Sequence, residues 1–214
     1  MDRREVIYYA TMCMFTLVML WNDQSILLII GMVVPATLIM VTIFELYPML
    51  WETRMDRLEA FLRKKQYKPY IYFYYATANR LDEEVDHTIE KLMSNTTVSK
   101  STKAIFQAAY SSYRKDVFSL RKAVRDIRRS DYRTYYETIL LVEEGHIDLA
   151  KAHLASIKKE YMRFALLAEI KRRLNHPEQA AEYAARAIHA SRGVNRYIMT
   201  KEVERYYTKD QLAQ

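Results

Sequence analysis

Residues 6–21 read VIYYATMCMFTLVMLW, residues 22–25 read NDQS, and residues 26–44 read ILLIIGMVVPATLIMVTIF. The two apolar runs and the polar break between them organise the chain. As helices they would measure roughly 24 and 28 Å at about 1.5 Å per residue. A bilayer core is about 30 Å thick, so the second run spans it and the first spans it with help from its flanks. Tyr8, Tyr9, Tyr47 and Trp51 fall at one expected interface and Trp21 at the other, in the pattern of an aromatic belt. No residue from Val6 to Trp21 is charged, and after Asp23 the next charge is Glu45. The reading is a transmembrane helical hairpin within residues 1–51.

Lys/Arg bias orients it. Arg3 and Arg4 precede the first run, while Arg54, Arg57, Arg63, Lys64, Lys65 and Lys68 follow the second; the NDQS turn holds no basic residue. Both ends are therefore expected in the cytoplasm, with the turn outside. The competing readings are a buried hairpin of a soluble protein and a signal peptide, but no small-residue cleavage site follows Trp21. Pro35 lies mid-run, where a membrane helix tolerates it. Gly31 stands without a Gly-x-x-x-Gly pattern, so no helix dimer is indicated. Cys13, the only cysteine, excludes an intrachain disulfide and reads as a small buried hydrophobe.

The chain has 214 residues and a net charge of +7. Residues 1–51 hold two Lys/Arg against four Asp/Glu, whereas residues 52–214 hold 31 against 22, so the basic excess lies beyond the hairpin. There, on the cytoplasmic side, it would face anionic lipid. With 3 Gly and 4 Pro, the whole chain reads as helix. Residues 52–66 form an amphipathic helix, with Met55, Leu58, Phe61 and Leu62 on one side, that extends the second span before Tyr67-Lys68-Pro69 breaks it.

From Pro69 the chain repeats. Turn positions Arg80, Lys115, Gly145 and Asn175 are spaced by 35, 30 and 30 residues. The helix before each turn carries Ile71, Phe106, Tyr136 and Leu166 in one column and Tyr75, Tyr110, Leu140 and Ile170 in the next. The helix after each turn repeats an apolar triplet at i, i+4, i+7: Val85/Ile89/Leu92, Leu120/Val124/Ile127, Ala150/Leu154/Ile157 and Ala180/Ala184/Ala187. Four helix-turn-helix units in register imply a stacked α-solenoid. Asn95–Ser101 is the expected loop, with Ser99 or Ser101 an N-cap. Residues 192–214 read as a capping helix, with Lys201, Glu202, Glu204, Arg205 and Lys209 turned outward.

The segments EGHIDLAKAHL (144–154) and LNHPEQAAEYA (174–184) carry a resemblance. Each has Gly or Asn at the turn, a short polar stretch, then a small residue, Ala150 or Ala180, where two helices would touch. In this they resemble the tetratricopeptide (TPR) repeat, over residues 67–191, with spacings of 35, 30 and 30 in place of its usual 34. The resemblance implies an all-α, TPR-like stack with a concave groove. In its register the inner face would show Tyr67, Tyr70, Tyr74, Tyr113, Tyr132, Tyr135, Ile139, Glu143, Glu169, Arg172 and Arg173. Tyrosine offers wide contact at little entropic cost, which suits capture of a peptide.

A second surface is basic. Arg121, Lys122, Arg125, Arg128, Arg129 and Arg133 cluster, and residues 100–133 carry ten Lys/Arg against three Asp/Glu. Anionic lipid is the expected partner; nucleic acid lacks a recognisable module here. No Gly-rich phosphate loop, nucleophile elbow or Cys/His pair is present, and His87, His146, His153, His176 and His189 show no metal-ligand spacing. The expectation is a non-enzymatic adaptor without cofactor, integral to a bacterial plasma membrane and binding a protein partner. The alternative is a basic helical domain docked on anionic lipid.

Overall fold

A computed structural model describes residues 3–22 and 24–207, with side chains from Ile7 onward. The described residues form twelve helices, all-α, packed largely in sequential pairs. They are α1 (Arg3–Trp21), α2 (Ile26–Leu50), α3 (Met55–Arg63), α4 (Pro69–Ala78), α5 (Asp82–Ser94), α6 (Lys100–Arg114), α7 (Val117–Asp126), α8 (Asp131–Glu143), α9 (Ile147–Leu154), α10 (Glu160–Arg173), α11 (Pro177–Ala190) and α12 (Gly193–Tyr206).

Near the N-terminus one helix, α2, is long and apolar enough to cross a membrane: 25 residues, of which an 18-residue stretch has a mean hydropathy of 2.7. The apolar part of α1, Ile7–Trp21, falls short of that length, so the expected pair of spans reduces to one candidate span and a shorter apolar partner. Asp23, in the turn between them, lies outside the described residues. Ser25 caps α2 by accepting the Leu28 N–H at 3.3 Å. Pro35 stands inside the helix without ending it. Thr42–Leu46 widens into a π turn, where the Tyr47 N–H reaches back to the Thr42 carbonyl. Pro48 follows and has no N–H for the ladder, a reason for the register to shift there.

α2 does not continue into the next helix as the periodicity predicted. The Glu52 carboxylate accepts the backbone N–H groups of Thr53 at 2.9 Å and Arg54 at 3.0 Å, turning the chain before α3 starts at Met55. α3 then buries Leu58 and Leu62, as the spacing implied.

The four expected turns share one geometry. Arg80 (φ 57°), Lys115 (59°), Gly145 (81°) and Asn175 (59°) all adopt the left-handed conformation. After each, the next N–H reaches five residues back: Leu81 to Ala76, Asp116 to Ser111, His146 to Leu141 and His176 to Lys171, at 2.8 to 3.0 Å. This is the Schellman closure, which satisfies the last carbonyls of a helix and reverses the chain tightly. Each turn packs the helix before it onto the one after, giving the pairs α4/α5, α6/α7, α8/α9 and α10/α11. All twelve triplet residues on α5, α7, α9, α11 and the turns after α7 and α9 are buried. Between α5 and α6 the chain loops, and Ser99 caps α6 by accepting the Thr102 N–H at 3.2 Å.

The last helix departs from expectation. α12 is not a polar lid on an open end. It packs on α11 and also crosses back to α3, α4 and the end of α2. Tyr197 is fully buried among Leu58, Leu62, Ile71 and Ala78, and its hydroxyl accepts from Asn79 at 2.8 Å. Lys201 pairs with Glu59 at 3.5 Å and Glu202 with Arg80 at 3.9 Å, while Arg205 donates to the Ala78 carbonyl. Residues 208–214, the rest of the expected capping helix, lie outside the described residues.

Candidate functional site

The first helix of each pair presents aromatic residues to a shared interior, and α12 lies across it. Two cavities remain beside α12. The larger, about 270 Å³, is walled by Tyr74 of α4, Phe106 and Tyr113 of α6, Tyr132, Tyr135 and Ile139 of α8, Tyr161 of α10, and Met199 of α12. The smaller, about 180 Å³, shares Tyr135, Ile139 and Met199 and adds Glu143, Glu169 and Arg172.

Of the predicted groove residues, Tyr74, Tyr113, Tyr132, Tyr135, Ile139, Glu143, Glu169 and Arg172 thus meet around adjoining spaces. Arg173 sits at their edge, paired with Glu143 at 2.5 Å and Glu169 at 2.9 Å. Tyr70 belongs to neither cavity and is exposed. Tyr67 is exposed as well, its ring lying under the ammonium groups of Lys65 and Lys68. Sequence reasoning missed the α12 contribution (Asn195, Ile198, Met199, Glu202 and Tyr206) and the Tyr136 and Tyr161 rings. Val194, Tyr197 and Ile198, at i, i+3, i+4, were the available sign that α12 has an inward face.

Two kinds of chemistry meet here. Burial pushes the phenols of Tyr74, Tyr135, Tyr136 and Tyr161 well above their ordinary range, so they stay protonated at neutral pH and serve as hydrogen-bonding groups. The Tyr161 hydroxyl is buried beside Tyr132 and makes no well-formed hydrogen bond among the described residues. Charge at the second cavity is internally matched. Burial raises the Glu169 carboxyl, but bonds from Arg172 at 2.6 and 2.8 Å and from Arg173 at 2.9 Å outweigh it and hold the pKa low. Lys115 stands 3.6 Å from Glu143 at the mouth. The Arg172 guanidinium also lies over the Tyr206 ring at 5.2 Å. The arrangement offers broad aromatic contact with fixed charges at its rim.

The basic cluster divides. Arg121 is bound to Glu144 at 2.5 Å and Arg133 to Glu137 at 2.9 Å. Lys122, Arg125, Arg128 and Arg129 are exposed, and no carboxylate pairs with them among the described residues. A further cluster joins the end of α2 to the helical stack: Glu45 pairs with Lys65 at 3.4 Å and with Lys68. Burial lowers the Lys68 ammonium, yet the bond to Glu45 and nearby charge leave its pKa raised. Among the described residues, no three His, Cys, Asp or Glu gather as a metal site.

No family model, curated protein or solved structure matches this chain.

Proposed function

We propose that the chain is a membrane-anchored scaffold whose TPR-like helical stack, α4–α11, captures a segment of a protein partner on the cytoplasmic face of a bacterial plasma membrane. The observation that carries this reading is the convergence of tyrosines and paired charges from α4, α6, α8 and α10 on two adjoining cavities. Such surfaces give contact area, hydrogen-bonding groups and orientation.

The anchor reading is supported by where the apolar surface lies. Only 11% of the apolar window of α2 is buried, unlike the core helix of a soluble domain. Leu27, Leu38, Ile39 and Ile43 stand exposed along it, a surface water does not tolerate over such an extent. A removable leader fits poorly, because the end of α2 is built into the domain. The Gly193 N–H donates to the Glu52 carbonyl at 2.7 Å, and Glu45 holds Lys65 and Lys68.

The test is crosslinking and pull-down from membranes, comparing the intact chain with Tyr132→Ala/Tyr135→Ala and with Ile139→Trp. The first empties the wall shared by the cavities, and the second fills it. A discrete protein captured by the intact chain and lost with both variants is expected. The same proteins recovered from all three would sink the groove reading.

A further inference from the structure

Phe118 is 81% exposed on α7, far outside the apolar N-terminal helices. A single exposed phenylalanine is ordinary in itself; what marks this one is the row of cations on the same helix face. Phe118, Arg121, Lys122 and Arg125 stand at i, i+3, i+4 and i+7, on one face of the helix, and Arg128 and Arg129 follow directly after its end. The carboxylates of this region are already committed. Asp116 caps α7 by accepting the Ser119 N–H at 3.0 Å, Asp126 pairs with Lys100 at 2.9 Å, and Glu144 takes Arg121 at 2.5 Å. Lys122 and Arg125 are left as exposed cations on the face that carries the exposed ring, and Arg128 and Arg129 are exposed just past the end of the helix.

We propose that this face of α7 is a second membrane contact, in which Phe118 enters the headgroup region of an anionic bilayer while Lys122, Arg125, Arg128 and Arg129 bind lipid phosphates. Charge complementarity selects the occupant. Four uncompensated cations favour the anionic cytoplasmic leaflet, where each contributes attraction that salt screens. The ring adds what charge alone does not, an apolar body sized for the interface. Membrane contact at α7 would fix the orientation of the stack, because α2 and α7 would hold it at two separate places. The inference is independent of what the cavities bind.

The test places a nitroxide at Phe118→Cys in a Cys13→Ser background of the full chain, reconstituted into phosphatidylcholine vesicles with or without about one third phosphatidylglycerol. Collisions of the label with oxygen and with a water-soluble nickel chelate report its depth. With anionic lipid, the label is expected to gain oxygen and lose nickel contact. About 1 M salt should reverse this, since the screening length falls to about 3 Å. Lys122→Glu/Arg125→Glu should reduce the membrane-contacting fraction by at least about fivefold, on the basis of roughly 1 kcal/mol per cation. Lys158→Glu, a charge reversal elsewhere, should leave it unchanged. A label equally open to nickel in both lipids overturns the proposal. So does a label shielded in both and indifferent to salt, which would mean that Phe118 meets protein. Retention of the labelled chain after alkaline washing scores the α2 anchor separately.

Discussion

α2 and α4 are both apolar nearly all round, and they come to opposite ends. Along α2 only Ile29 and Met40 are buried, whereas α4 (PYIYFYYATA) buries Ile71, Tyr72, Phe73, Ala76 and Ala78 within ten residues. A helix without a polar side must be surrounded by something apolar. Length decides what. Ten residues reach about 15 Å, half a bilayer, so α4 can be satisfied only by protein. It is ringed by α3, α5 and α12. The 25 residues of α2 have few neighbours and, by length and composition, are enough to cross a bilayer core. Apolar composition therefore marks a demand for burial, and helix length and neighbours decide whether protein or lipid meets it.

The same charge placed in each helix separates the two cases most sharply. Ile71→Arg puts a cation where 1% of the residue is exposed, among Leu58, Leu62 and Tyr197. Loss of about 3–5 kcal/mol is expected, enough to unfold the stack. It would be read as collapse of protease resistance. Leu38→Arg, on an exposed position of α2, should leave protease resistance intact. It would cost about 2.5–3.5 kcal/mol of membrane insertion, read as loss from alkali-washed membranes. If Leu38→Arg unfolds the domain instead, α2 is a core helix and the comparison fails.

The seam between the regions comes next. Gly193 opens α12 at φ 56°, and a Cβ there would collide with the Met49 and Leu50 backbone at the end of α2. Gly193→Ala combines a left-handed strain of about 1–2 kcal/mol with a clash that only backbone movement relieves. A total near 3 kcal/mol is expected, measured as a fall in the thermal midpoint of the purified chain. Asn79 and Tyr197 should become exposed to hydrogen exchange with it. A neutral Gly193→Ala would mean that α12 does not rest on α2.

Much of this contrast was legible in residue order, and the missing parts share a cause. The triplets and turns could be found because each repeats at a near-fixed interval and each depends on contacts within one helix pair. Arg80 and Lys115 are not typical left-handed residues; alignment with Gly145 and Asn175 located them. The reach of α12 left no such trace. Its bond from Asn79 to Tyr197 joins residues 118 apart, and nothing periodic records a single long-range closure. The stop after Trp51 was equally hidden, because Glu52 breaks the helix by binding its neighbours' N–H groups while the apolar spacing runs on. At the cavities, the register implied by the TPR resemblance named the α6 and α8 tyrosines that line them. It misjudged Tyr70, which points away from both spaces.

Charge sharpens the comparison further, since the stack keeps charges inside where α2 shows almost none. Glu169 has a pKa held below 4.5 in the fold. A depressed carboxylate stabilises the fold above its unfolded value and loses that contribution as pH falls through the folded one. Stability should therefore decline below about pH 4.5, and Glu169→Gln should flatten that decline at a cost of about 1–2 kcal/mol at pH 7. Denaturation curves at stepped pH read both effects. An unchanged slope would assign the acid sensitivity elsewhere.

The smallest effect tests whether the four turns are equivalent. Lys115 and Gly145 hold the same left-handed position in successive pairs, yet only one is glycine. A lysine there carries a steric cost of about 1 kcal/mol that its side chain barely offsets, because its 3.6 Å contact with Glu143 is largely solvent-exposed. Lys115→Gly should stabilise the domain by up to about 1 kcal/mol, offset in part by the greater freedom of glycine in the unfolded chain. Gly145→Lys should destabilise by a similar amount and no more, since a Cβ at Gly145 meets nothing within 4 Å. Arg80 is the informative control. It holds the same φ, but its guanidinium stacks on Tyr113 at 4.6 Å and pairs with Glu202 at 3.9 Å. Arg80→Gly should therefore gain nothing, because relief of backbone strain is cancelled by release of α12 from the turn. If Arg80→Gly stabilises as much as Lys115→Gly, these contacts do not hold α12, and the closure of the groove rests on Tyr197 and Gly193.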